Sequence, residues 1–401
     1  MSTVVLRNGV LADDPARPVA DLVVVDGVIA GRGGEAEVPE GAAEIDCTGL
    51  TILPGAIDVL GAIADPRRAG APADDLATGT LVAARGGVTT VVCPVRPMTG
   101  ESPSAALADV ARRASGIAVV DWAAAVRVSG GASADEVAAL TREPGFAALL
   151  LDLDGEAVPS PIALAHLAVR ADVPLVVRSA GHGAGPVQAR RLRALADAVA
   201  LAGGNAHVVP VASAEALAGL EDGLLTGSAS LAHVAIAELE EGFQVAPPLP
   251  GASGAAALLA ALADRRLEGV ASCHFPSLFD EAPEWFGIGT LEVFWPALLT
   301  AARGRIDLHD LVEAVCAAPA RRFGLRPHKG SLLAGADGDV VAVDLDAEWT
   351  VDASDTRSRG TLEPWDGRTL TGRVVHVLSR GVPVVADGEA QFGAGRGRPA
   401  V

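Results

Sequence analysis

Positive charge is scarce in this chain, and lysine is almost missing. Lys329 is the only lysine; the rest of the 31 basic residues are arginine, against 50 acidic residues and a formal net charge of −19 in 401 residues. A surface of that sign repels nucleic acid and anionic lipid, so neither is expected as a partner. Any chemistry that needs an amine has to use Lys329. Tyrosine is absent and aromatic residues make up 3% of the chain. The four cysteines, Cys47, Cys93, Cys273 and Cys316, form neither a CxxC pair nor a disulfide framework, which suits a reducing, cytoplasmic setting. The opening MSTVVLRNGVLADD has no basic stretch followed by an apolar one, so no signal peptide is expected. Apolar runs break well before the ~20 residues that a membrane span needs.

Half of the residues are hydrophobic, enough for a large core in two or three structural units. The first fifty residues read as short strands, with turn signals at Asn8-Gly9 and Asp26-Gly27. After Ile52, short apolar runs alternate with Ala/Leu-rich helical stretches: GVTTVVCPV then SAALADVARRASG, FAALLLDLD then SPIALAHLAVRA, VPLVVRSA then PVQARRLRALADAVALAG. Buried strands followed by amphipathic helices indicate βα units and a parallel sheet. About eight such units fit over 53–325, the span of a TIM-like (β/α)8 barrel. The β-rich pattern returns after Arg326, so 1–52 and 326–401 are expected to pair into one small β-sandwich beside the barrel. The end, AGRGRPAV, reads as a frayed tail.

PGAIDVLGAIADP at 54–66 resembles the opening of the amidohydrolase superfamily barrel, and within it that of dihydroorotases and their hydantoinase-like relatives. Further similar segments follow in the family's order: DDLATGTLVAARGGVTTVVCPVRP at 74–97, HVVPVASAEAL at 207–217, QVAPPLP at 244–250, SCHFPSLFDEAPEWFGIGTLE at 272–292 and HKGSLLAGADGDVVAVDLDAEWTV at 328–351. The resemblance covers nearly the whole chain and implies the barrel-plus-sandwich fold.

It also implies where a zinc site belongs. The family's first strand carries His-x-His, whose two imidazoles face one side and reach one ion. Here those positions are Leu60 and Ala62. The family's substrate-binding arginine and asparagine correspond to Ala64 and Val95, and its bridging carboxylated lysine falls near Leu150. Some dihydroorotases use an aspartate in that role, and DLDG at 152–155 offers Asp154 or Asp152. The next two histidine ligands correspond to Arg178 and Pro210, the asparagine before PPL to Ala246, and the aspartate that serves as ligand and general base to Cys273. His274, a substrate contact in the family, is retained.

The degenerate set Leu60, Ala62, Arg178, Pro210 and Cys273 implies no bound metal, no cofactor and a pseudoenzyme. Dihydroorotase-like chains of that class are associated with aspartate carbamoyltransferase, so a structural and regulatory subunit of that enzyme, in a homo- or hetero-oligomer, is the expected function. The alternative is an active metal-dependent dihydroorotase or related cyclic amide hydrolase with a remodelled site. A third reading is a sensor whose vacant pocket binds an anion through Arg178.

Among the leftover polar residues, Asp58 reads as a structural carboxylate. Arg178 either binds an anion or pairs with Asp154, and Asp154, Arg178 and His274 remain the candidate binding remnants. His182 reads as a loop residue, and His207 and His233 as core or surface groups off the ligand register. Cys273 and His274, adjacent on a strand, point to opposite faces and make a poor nucleophile–base couple. Loop 66–75 and the aromatic-rich 275–289, with Phe275, Phe279, Trp285 and Phe286, are candidate contact surfaces or covers for the barrel.

Overall fold

The strand–helix alternation closes into a parallel barrel. The computed structural model describes the chain except residues 1, 36, 65–72, 130, 154–159, 180, 182–184, 221–222, 237–244, 277–286, 361–362 and 392–395. Eight strands follow one another in sequence order: β1 Ala56–Asp58, β2 Val88–Val95, β3 Asp121–Arg127, β4 Phe146–Asp152, β5 Leu175–Arg178, β6 Ala206–Val209, β7 Leu225–Ser230 and β8 Gly269–Ala271. Each pairs in parallel with the next. The seam between the last and first strands is bridged just beyond their ends, where the Ala62 N–H donates to the His274 carbonyl at 2.9 Å.

The helices start where the sequence supplies caps. Asp75 and Thr78 form a reciprocal box at the start of Leu76–Arg85, and Ser133 and Glu136 do the same for Ala134–Leu140. Ser102 caps Pro103–Ala114, with proline in its first turn, where the missing N–H costs nothing. Gly86-Gly87 turns the first helix into β2. A side chain at Gly86 would meet the Leu291 carbonyl oxygen at 1.7 Å, and Gly87 has φ +79°.

Side chains two apart on each strand fill the barrel. Ile57, Val92, Ala123, Ala125, Leu150, Val176, Val209 and Ala271 form the inner core, with Ala320, Phe323 and Leu325. The intervening residues, among them Val91, Trp122, Leu149, Leu151 and Val177, belong to the larger core that includes the buried faces of the helices.

A separate nine-stranded sheet uses both ends of the chain. Thr51–Pro54, just ahead of β1, pairs antiparallel with Val340–Thr350, and parallel with Thr3–Leu11. Lys329 lies where this sheet meets the barrel. Its ammonium pairs with Asp121 at the start of β3, with Asp337 at 2.9 Å and with Asp339 at 2.6 Å, all buried. Arg380 reaches Asp121 at 2.9 Å and Asp337 at 3.2 Å. The only lysine is therefore a structural cation at the barrel's N-terminal end.

The terminus departs from the frayed tail expected from its sequence. The Trp122 N–H donates to the Arg398 carbonyl (3.1 Å), the Ala400 N–H to the Trp122 carbonyl (2.8 Å) and the Gly145 N–H to the Val401 carbonyl (2.9 Å). The Arg398 N–H also donates to Asp121 Oδ1 at 2.8 Å. Backbone groups at the start of β3 give the last residues partners that Gly/Arg composition does not reveal. Among the described residues, no helix is long and apolar enough to cross a membrane.

Candidate active site

At the C-terminal ends of the strands, where barrel enzymes place their chemistry, a cavity of about 520 Å³ opens. Leu60, Ala62, Arg178, Pro210, Ala246, Cys273 and His274, all singled out in the sequence, line it. So do Arg96, Arg127, Asp152 and His233.

Asp152 is the centre of its polar wall. The carboxylate is 6% exposed and accepts from Arg96 Nε at 2.9 Å and Nη2 at 3.1 Å, and from Arg178 Nη1 at 3.1 Å. Burial alone would raise its pKa, but the Arg96 and Arg178 guanidiniums outweigh that and hold it down at about 2. Arg178 lies directly opposite Asp152 in the β4–β5 register, so their pairing follows from the strand alignment. The expected partner Asp154 is outside the described residues, as is His182.

Register corrects one assignment. Val95 faces the helix layer and belongs to the outer core; Pro94 and Arg96, on either side of it, line the cavity. A strand reverses its facing at every residue, so a reading one place off selects the wrong side chain. Ala64 likewise sits in the outer core, its carbonyl accepting from Arg113 Nη2 at 2.6 Å. Leu150 lies in the barrel interior, two residues below Asp152.

The histidines separate sharply. His274 is fully buried: Nε2 lies 3.0 Å from Asp74, and Nδ1 accepts from the Thr290 N–H at 3.1 Å and the Leu291 N–H at 3.3 Å. Both ring nitrogens are thus used by the protein. His207 lies away from the cavity, between Thr226 Oγ1 at 2.8 Å, Ser228 Oγ at 3.0 Å and Glu268 at 3.2 Å. His233, read from the sequence as off the site, is a buried part of its wall. Its Nδ1 lies 2.5 Å from Ser230 Oγ and its Nε2 3.2 Å from the Pro247 carbonyl. Burial lowers its pKa to about 4, so it is neutral at pH 7.

Cys273 has φ +48°, a left-handed backbone that is strained for a side chain, and it packs against the barrel interior. Burial raises its thiol pKa, with Asp58 adding to the effect, so it is protonated. The neighbouring imidazole is committed to Asp74 and backbone, so it is not a base for that thiol. Asp58 is buried beside the seam and accepts from the Ser272 N–H at 2.7 Å, the Ser272 hydroxyl at 2.5 Å and the Leu60 N–H at 3.3 Å. Burial raises its pKa.

Against this geometry the similarities to known proteins are informative. No protein-family model matches the chain. The dihydroorotase of Anaeromyxobacter sp. (strain K) is 30% identical to it, over 97% of this chain and 100% of that one. The allantoinase of Streptomyces avermitilis is 31% identical, over 98% and 97%. The chain belongs to the dihydroorotase- and hydantoinase-like amidohydrolases. The crystal structure of a dihydropyrimidinase from Brevibacillus agri shares the fold, with a TM-score of 0.89, 23% identity, and coverage of 98% of this chain and 97% of that one.

An amidohydrolase of this kind invites a test for zinc. A catalytic zinc takes histidine nitrogens and carboxylate oxygens and leaves one position open for water. Among the described residues, the cavity wall of this amidohydrolase offers Asp152, already held by two guanidiniums, His233 and His274, each hydrogen-bonded through both ring nitrogens, and a protonated Cys273. That set does not fit a zinc pair. The one cluster of potential metal-ligating groups among the described residues, Asp121, Asp337 and Asp339, surrounds the Lys329 ammonium at the opposite end of the barrel.

Arg127 escaped the sequence reading. Its signal was present in DWAAAVR: Ala123 and Ala125 face the barrel interior, so Arg127, two places on, must emerge at its rim.

Proposed function

We propose that this amidohydrolase is a dihydroorotase homologue of pyrimidine biosynthesis that has lost its metal ligands and its catalysis, and that it serves as a structural and regulatory subunit for aspartate carbamoyltransferase in the cytoplasm. The observation that carries the first half is the Arg96–Asp152–Arg178 clamp. A divalent cation approaching Asp152 meets two guanidiniums already within hydrogen-bonding distance of its oxygens. The cation would have to displace both and then sit beside their positive charges. Leu60 and Ala62 supply no donor on the opposite wall. The partner follows from the resemblance to noncatalytic dihydroorotase-like chains. Its physical requirement is an intact barrel, which keeps its buried core whatever lines the mouth.

The full-length likeness to an enzyme named dihydroorotase and another named allantoinase favours a second reading, a cyclic amide hydrolase with a remodelled site. Turnover separates the two. Purified protein incubated with zinc should leave dihydroorotate unhydrolysed, and so should the Leu60→His/Ala62→His double variant, because Asp152 stays clamped. Metal-dependent ring opening by the unaltered chain would establish the second reading. Co-elution with aspartate carbamoyltransferase from the same organism tests the partner; separate elution, with no effect on that enzyme's assembly or activity, would remove it.

A further inference from the structure

Arg127 is a half-buried residue on the cavity wall whose guanidinium has no hydrogen bond and no ion pair among the described residues. The β2–β3 register aligns Val95 with Val126, which places Arg96 and Arg127 side by side on neighbouring strands, about 4.8 Å apart along the hydrogen-bonding direction. Arg178 completes the group from β5. Among the described residues of the wall, three guanidiniums thus face a single carboxylate, Asp152, and His233 adds no charge at neutral pH.

Like charges held together in a recess repel, and a concave site with low-dielectric walls concentrates their field. The concentration is more pointed in a chain whose net charge is −19. An acidic surface has no general use for clustered arginines, yet these are presented inward from rigid strands. Guanidinium forks match planar or tetrahedral oxyanions, and no described residue occupies the Arg127 fork. The rest of the wall is apolar, including Leu60, Pro210 and Ile288, and the volume falls in the range of small-molecule sites.

We propose that this cavity binds a small organic dianion, held chiefly by Arg127 with Arg178 and Arg96, and that it does so without chemistry. A dicarboxylate or a phosphate group presents several oxygens that these guanidinium forks can hold. Nothing in this binding requires a metal, so it stands apart from the loss of zinc proposed above, which metal analysis tests by itself.

Calorimetric titration with succinate, inorganic phosphate and acetate, at constant ionic strength, reads the proposal. Succinate or phosphate should bind with a Kd at or below about 1 mM, and acetate at least about tenfold more weakly. Preference for succinate over phosphate would assign a dicarboxylate, and the reverse a phosphate group. Arg127→Met should weaken the preferred dianion at least about tenfold. Because the Arg127 guanidinium has no partner among the described residues, the same variant should melt no lower than the parent in anion-free buffer. Acetate binding as well as the dianions, no binding by either dianion, or undiminished binding by a folded Arg127→Met protein would overturn the proposal. A fall in its melting temperature would contradict the premise that Arg127 is unpartnered.

Discussion

The Asp58 carboxylate accepts both the backbone N–H and the hydroxyl of Ser272, 214 residues away in sequence. One side chain therefore clips the residue just after the last barrel strand to the first strand, two strands that no ladder pairing joins among the described residues. Both residues are fully buried. Asp58→Ala removes the acceptor and leaves buried donors unsatisfied, at an expected cost of about 2–4 kcal/mol. Chemical denaturation should show the midpoint falling at unchanged slope. A midpoint within experimental error of the parent's would mean that the seam is held by other contacts.

Lys329 anchors the other end of the barrel. Burial alone would lower the pKa of its ammonium, but Asp339, Asp121 and Asp337 outweigh that and raise it, so the charge is present at every working pH. Lys329→Met would leave three buried carboxylates with Arg380 as their remaining cation among the described residues. A loss of about 3–5 kcal/mol is expected, read as a lower denaturation midpoint. Dianion binding by the folded fraction should be unchanged, since the cavity is at the opposite end.

Acid should weaken the fold before any carboxylate of the clamp protonates. His233 has a folded pKa of about 4, against about 6.5 in an unfolded chain. Between those values the unfolded state takes up a proton that the folded state refuses, so stability is full above about pH 6.5 and falls towards pH 4. The contribution is on the order of 3 kcal/mol. His233→Gln should flatten the profile in that window, with a residual slope from His207, whose pKa burial also lowers. Asp152, held at about 2, adds a further loss only as pH falls below about 3.8. Denaturation midpoints from about pH 2 to pH 8 check both signs.

Sequence pattern revealed the barrel because strand and helix periods alternate visibly, and because Leu60 and Ala62 follow a motif that fixes their facing. It failed where one residue of register decides the outcome. The resemblance sets Val95 at the family's substrate-binding asparagine, but Val95 packs in the outer core and Arg96 occupies the cavity wall. It also failed where the partner is distant. The Lys329 cluster joins residues 121 and 329, and the terminal residues find theirs in the backbone around Trp122; composition encodes neither. Arg127 was legible by counting two from Ala125, but a lone arginine at a strand end carries no motif.

Metal stoichiometry tests the central claim most directly. Protein purified without chelator and dialysed against zinc-containing buffer, then against metal-free buffer, should retain far less than one zinc per chain by elemental mass spectrometry, on the order of 0.1 or below. Retention of two zinc ions per chain, lost together with dihydroorotate turnover on chelation, would contradict the account.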